Sequence, residues 1–155
     1  MSTARALLET SLPFSEFDEI VLNRFRDLAR QEQFSAGDVL FHELSQGDDI
    51  YFIVEGNIRM SVELASTHHM VEEIEGGPGE LVGEGRFIAD GPRPATVTAI
   101  SAVTALVWSV DDWRKIADEH PRAGYRLAVF AGQVLFARVG KLKEHLINDM
   151  SWGFE

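Results

Sequence analysis

Asp49-Ile50-Tyr51-Phe52-Ile53-Val54-Glu55-Gly56-Asn57-Ile58-Arg59-Met60-Ser61-Val62 decides the fold. Ile50–Val54 is an unbroken apolar run rich in β-branched and aromatic residues. Glu55-Gly56-Asn57 is a turn, and Ile58–Val62 resumes as a second strand. Similar pieces lie on either side: Val39-Leu40-Phe41 before it, and Met70-Val71-Glu72-Glu73-Ile74 after it. They are cut by Ala36-Gly37-Asp38, Ser45-Gln46-Gly47-Asp48 and Gly76-Gly77-Pro78-Gly79. Thr96–Ile100 and Thr104–Val110, joined through Ser101-Ala102, add two more strands. Short strands in quick succession between Gly, Asp and Asn turns predict a β-barrel or jelly roll.

Helices flank the strands. Phe17, Val21, Phe25 and Leu28 recur at helical spacing behind acids Glu16, Asp18 and Glu19, and Ser15 with Asp18 reads as a capping box. A helix over about 16–31 is expected, preceded by a shorter one near 3–10. Ser109 with Asp112 opens a second box and a short helix carrying Trp113 and Ile116. His120-Pro121 ends that helix and starts another, with Pro in a first turn where its missing N–H costs nothing. The last helix is expected from about Arg122 to Asn148. Within it Ala128, Gly132, Leu135, Val139, Leu142 and Leu146 form a heptad seam, and Leu127, Phe130, Ala131 and Val134 form a second stripe. Two stripes fit two partners, the strands and a second subunit; one wide stripe on the parent domain fits as well. The class is thus α+β, mainly β. One domain spans 1–155: helices over 1–33, strands over 34–110 and helices over 111–149.

Composition bounds the function. The chain has 155 residues, enough for one core, and no cysteine, so neither disulfides nor thiolate metal sites arise. The net charge of −11 opposes sequence-independent nucleic-acid binding and docking on anionic lipid. No membrane-length apolar stretch and no signal-peptide block are present, and a cytoplasmic location is expected.

Between the fourth and fifth strand-like pieces runs Gly83-Glu84-Gly85-Arg86-Phe87-Ile88-Ala89-Asp90-Gly91-Pro92-Arg93-Pro94-Ala95-Thr96. A Gly- and Pro-rich stretch of this kind can wrap an anion in backbone amides, with an arginine for its charge and a carboxylate to accept from hydroxyls. Glu84 and Arg93 as a mere surface ion pair is the plainer alternative.

Three ordered blocks carry a resemblance. Ser35-Ala36-Gly37-Asp38-Val39-Leu40-Phe41, Gly47–Ile58, and Val82-Gly83-Glu84 through Pro92-Arg93-Pro94-Ala95-Thr96-Val97 are similar to the first strand, the strand–turn–strand and the phosphate-binding cassette of the cyclic nucleotide-binding domain. That family includes the sensory modules of catabolite activator protein and of protein kinase A regulatory subunits. The resemblance spans roughly Phe34 to Asn148. It implies a non-enzymatic sensor of cAMP or cGMP, with no cofactor. Val82, Gly83, Glu84, Gly85, Arg86, Arg93, Pro94 and Ala95 would line the ligand site. Glu84 would accept from the ribose 2′-hydroxyl, Arg93 would pair with the cyclic phosphate, and the last helix would serve as lid and homodimer interface. With only Met150–Glu155 after that helix, no helix-turn-helix domain is expected in this chain. No DNA or membrane partner is expected either, and the output passes to an effector protein or to the rest of a longer polypeptide.

Four residues depart from the family pattern. Arg86 stands where a small residue is usual. It has three places open to it: solvent, the phosphate or the pocket itself. Gly85 replaces a larger apolar residue, Leu44 replaces a turn glycine, and Pro94 removes a backbone donor from the phosphate's surroundings. Arg86 and Pro94 motivate a second hypothesis, a barrel that binds no nucleotide and serves as an interaction or dimerisation module. A third, a metal-dependent barrel enzyme, would use His69 and Glu73, next to His68 and Glu72. It fits poorly, because adjacent strand histidines face opposite sides.

Overall fold

The computed structural model describes residues 2–64 and 69–152. The expected metal-type residue His68 lies outside the described residues, as do the side chains of His69, Glu72 and Glu73. Helices α1 (Ser2–Thr10) and α2 (Glu19–Leu28) come first, with a 3-10 turn at Phe14–Glu16 between them. Eight strands follow: β1 (Arg30–Phe34), β2 (Val39–Phe41), β3 (Asp49–Glu55), β4 (Ile58–Leu64), β5 (His69–Gly76), β6 (Leu81–Val82), β7 (Thr96–Ala99) and β8 (Val103–Ser109). Helices α3 (Val110–Glu119) and α4 (Pro121–Trp152) close the chain.

The strands form two antiparallel four-stranded sheets, ordered β1-β8-β3-β6 and β2-β7-β4-β5. This is the expected jelly-roll class, but the sheets are not closed into a barrel. The unbroken apolar run in β3 now has its reason. Tyr51 and Ile53 pack with Val97, Ala99, Val103, Ala105 and Val107 between the sheets. Ile50, Phe52 and Val54 point the other way, into a second core with the helices. A strand buried on both faces needs no polar alternation.

The second core is aromatic. Phe14 stacks on Trp108 at 5.7 Å between centroids and meets Phe25, Phe52 and Trp113 edge-on. The Trp108 indole N–H donates to the Phe25 carbonyl at 2.7 Å, so this fully buried polar group is satisfied. Ala123, Leu127 and Phe130 seat the first half of α4 on this core.

Two sequence expectations need correction at the N-terminal side. The helix expected over 16–31 is α2 alone, capped by Asp18, whose carboxylate accepts from the Val21 amide at 3.0 Å. Ser15 sits in the 3-10 turn before it, so the expected box is a single-residue cap. The end of that expected helix is instead β1, Arg30-Gln31-Glu32-Gln33-Phe34, an edge strand paired to β8 from Arg30↔Val107 to Phe34↔Val103. With solvent beyond its free edge it lacks the apolar content by which strands are recognised. The second box holds: Ser109 Oγ accepts from the Asp112 amide at 3.2 Å and opens α3. The Pro121 boundary also holds, and α4 continues four residues beyond its expected end, to Trp152.

Candidate functional site

β6 delivers the chain into the cassette through Gly83, whose φ of +82° only glycine adopts without strain. A 3-10 turn over Glu84–Phe87 follows. Phe87 anchors the turn against Trp113 of α3 at 5.7 Å between centroids. The segment 88–95 returns to β7. A cavity of about 330 Å3 opens between the cassette, β2, β4, β5 and α4, at the small end of the range of ligand pockets, about 300–1,000 Å3. Its walls are mostly apolar: Phe41, Met60, Val62 and Ile74 from the strands, Pro92, Pro94 and Ala95 from the cassette, Leu135 and Val139 from α4. Arg86, Arg93 and Arg138 bring positive charge to it, and Asp90 a carboxylate.

Arg93 is fixed from every side. Its backbone pairs with the 42–47 turn, Arg93 N–H donating to the Ser45 carbonyl at 2.9 Å and Leu44 N–H to the Arg93 carbonyl at 2.7 Å. That pairing holds Leu44 at a left-handed φ of +66° although it is not glycine. The guanidinium lies 4.2 Å above the Phe41 ring centroid and donates through Nη2 to the Asp49 carbonyl at 2.8 Å. Side chains are excluded beside it. A Cβ at Gly83 would stand 2.8 Å from Nη1, and one at Gly47 would stand 3.0 Å from Nη2. Arg93 is 4% exposed, and its Nε has no partner. A buried cation on the wall of a cavity can pair with an anion there. Burial pulls its pKa down, and Tyr51, Asp49 and Asp48 hold it up.

Arg86 resolves the question its sequence position posed. It lies on the cavity wall and not across it. Asp48 at 2.9 Å and Asp90 at 2.7 Å hold it, and Asp90 is also 3.6 Å from Arg114 of α3. These two acids hold its pKa above the usual arginine range. Gly85 does not loosen the cassette as its size implies. The Leu135 side chain from α4 comes within 3.4 Å of where a Cβ would stand, so the helix fills that space.

Glu84 is the residue that the structure moves. It is completely buried, at 0% exposure, and does not line the cavity. Arg138 of α4 covers it. Arg138 Nη1 donates to Glu84 Oε1 at 2.6 Å, and Nη2 donates to the Leu81 carbonyl at 3.0 Å. Glu84 Oε2 is enclosed without a partner. Burial raises the Glu84 carboxyl above its usual range, while Arg138 and its own backbone amide pull it back down.

Of the eight expected site residues, Gly83, Gly85, Arg86, Arg93, Pro94 and Ala95 line the cavity. Val82 is buried and borders a smaller neighbouring cavity of about 210 Å3 under α4, and Glu84 sits behind Arg138. Phe41, Gly47, Leu135 and Arg138 were not singled out as site residues from the sequence. For Arg138 a signal exists: it is the one charged residue in the α4 stretch Leu127–Gly140. Among the described residues no group of three His, Asp or Glu side chains could hold a metal ion, and no helix is long and apolar enough to cross a membrane.

The profile of the family described as cyclic nucleotide-binding domain matches residues 31–120. A cAMP-dependent protein kinase regulatory subunit of Dictyostelium discoideum is 36% identical over 78 residues, 48% of this chain and 23% of its own length. Lysophospholipase nte1 of Aspergillus oryzae is 33% identical over 90 residues, 57% of this chain but 6% of its own length. The chain thus matches a small part of these longer relatives. Among solved structures, the regulatory domain of Toxoplasma gondii PKA with cAMP aligns with a TM-score of 0.65 at 26% identity, covering 74% of this chain and 43% of that one. A cyclic nucleotide-binding domain from Methylobacillus flagellatus shares the fold at a TM-score of 0.77 and 17% identity, over 96% of this chain and 83% of that one.

Proposed function

The chain belongs to the cyclic nucleotide-binding domain family, a family of non-catalytic regulatory domains, and on that ground we propose that it senses cAMP or cGMP in the cavity beside Arg93. One observation carries the reading: Arg93 is a buried cation, oriented by Phe41, Gly47 and Gly83, that lines an open cavity. The cyclic phosphate pairs with Arg93, with Arg86 as a second positive charge on the same wall. The base lies against Met60, Val62, Ile74, Leu135 and Val139. Pro94 withholds one backbone donor, which lowers affinity by about ten- to a hundredfold without abolishing it. Arg86 lying along the wall supports the sensor over the barrel that binds no nucleotide, since a plugged pocket would need it across the opening.

Output runs through α4. Its first half is sunk in the aromatic core, while the half beyond Gly132 meets the cassette through Leu135 and Arg138. A ligand in the cavity touches the second half and shifts its equilibrium between arrangements. The opposite face of α4 carries a second function, homodimerisation. Tyr125, Val129 and Phe136 are exposed apolar residues there, with Phe136 at 83%. The seam expected from the heptads is displaced, because Leu135 belongs to the cavity and packs on Gly85. Leu142 and Leu146 of that seam lie outside the described side chains. The effector and a cytoplasmic setting remain part of this proposal.

Calorimetry with cAMP and cGMP tests the sensor: binding is expected for wild type and lost in Arg93→Leu. No heat and no thermal shift from either nucleotide at millimolar concentration refutes it.

A further inference from the structure

We infer that Arg30, a residue outside the cavity, strengthens anion binding at Arg93 by holding the Asp49 carboxylate away from the phosphate. The inference rests on the cyclic nucleotide reading of the cavity. A chain with a net charge of −11 needs a local positive field to keep an anion. Yet the turn beside Arg93 carries two acids in succession, Asp48 and Asp49. Asp49 gives its own carbonyl to Arg93 Nη2 at 2.8 Å, and a Cβ at Gly47 would stand 3.0 Å from the same nitrogen. Both acids act on the Arg93 guanidinium through their charge. An unpaired carboxylate at this turn would compete with a phosphate for Arg93 and repel it.

Neither acid is left unpaired. Arg30 donates through Nη2 to Asp49 Oδ2 at 2.6 Å, and Arg86 meets Asp48 at 2.9 Å. Among the described residues no carboxylate is ion-paired to Arg93 itself. The acids are thus neutralised by other arginines, and the charge of Arg93 is kept for the ligand. Arg86 lines the cavity, so its own charge also reaches a ligand there. Arg30 is the cleaner case, because neither it nor Asp49 lines the cavity. It stands on β1, in register with Val107 of β8, which is in register with Tyr51 of β3. Its side chain therefore reaches across β8 to draw the Asp49 carboxylate toward β1. Arg30 is a positioning residue: it acts on the anion through Asp49.

The test is calorimetry with cAMP on the full chain at about 20 mM and about 500 mM salt, over which the screening length shortens from roughly 20 Å to about 4 Å. At low salt Arg30→Met is expected to bind cAMP about three- to tenfold more weakly than wild type. Arg30→Met with Asp49→Asn is expected to recover most of that loss, and Arg30→Lys to avoid most of it. At high salt wild type and Arg30→Met are expected to agree within about twofold. A merely structural role for Arg30 would leave the loss in place in the double variant and at high salt. Arg30→Met that binds as wild type does at low salt overturns the inference. A loss that Asp49→Asn does not recover, or that salt leaves unchanged, overturns it too. Arg30→Gln repeats the comparison if Arg30→Met fails to fold. Wild type that binds no cAMP overturns the cyclic nucleotide reading, and the inference with it.

Discussion

The guanidinium of Arg93 lies 4.2 Å over the centre of the Phe41 ring, so β2 sets the plane in which the cassette's buried cation meets the cavity. Ring and cation are 52 residues apart in sequence, and neither reaches the site without the other's strand pairing. Arg93→Leu is expected to lower cyclic nucleotide affinity at least a hundredfold. Phe41→Leu, which keeps apolar bulk but removes the ring face, is expected to lower it about three- to thirtyfold, the worth of a partly desolvated cation–π contact. Calorimetry on both variants checks the order; a Phe41→Leu chain that binds as wild type does would show that the ring plays no part.

Gly83→Ala joins two effects at one atom. A Cβ there would stand 2.7 Å from the Asp49 carbonyl and 2.8 Å from Arg93 Nη1, on a backbone at φ +82°. The left-handed conformation alone costs about 1–2 kcal/mol for a residue with a side chain. Urea denaturation is expected to show a loss of at least that size, and ligand affinity should fall with it because Arg93 must move. A variant that loses stability but keeps full affinity would separate the glycine from the anion site.

Glu84 titrates in the opposite sense to an ordinary salt-bridged acid. Its folded pKa is raised, chiefly by burial. The folded chain therefore takes up a proton at a pH where the unfolded chain has already lost it, and this group adds stability as pH falls from the raised folded value to the usual glutamate value. Wild type is expected to gain on Glu84→Gln across that window in urea denaturation. Arg138→Met removes the cation that pulls the pKa down, so its window extends to higher pH. A stability difference between wild type and Glu84→Gln that is flat with pH would contradict this.

On α4, Val129→Glu with Phe136→Glu places two charges on the exposed apolar face and leaves Leu127, Ala131 and Leu135 in their packed positions. Wild type is expected to sediment as a dimer and the double variant as a monomer, with the same melting temperature extrapolated to low concentration. A monomeric wild type ends the dimer proposal.

The sequence carried most of the strand order because its turns are written in Gly, Asp and Asn, and because β3 is apolar on both faces. It also carried the cassette, whose Gly83, Arg86 and Arg93 are close in the chain. The Glu84–Arg138 pair was harder to foresee. The partners are 54 residues apart, and Arg138 lies on a helix whose apolar stripes do not mark which turn crosses the cassette. The same blindness placed Leu135 on a subunit seam, since periodicity tells which face is apolar but not what covers it.

β1 escaped detection for a reason that bears on the solution behaviour of the chain. An open sheet leaves a terminal strand with unpaired N–H and C=O groups, a template on which another chain can add. Here that strand is Arg30-Gln31-Glu32-Gln33-Phe34, and Arg30 is tied to Glu32 at 2.8 Å and to Asp49 at 2.6 Å. A foreign strand laid along this edge would have to strip water from those charges. The polarity that disguised β1 as a helix end is what guards the sheet against end-on growth into aggregates.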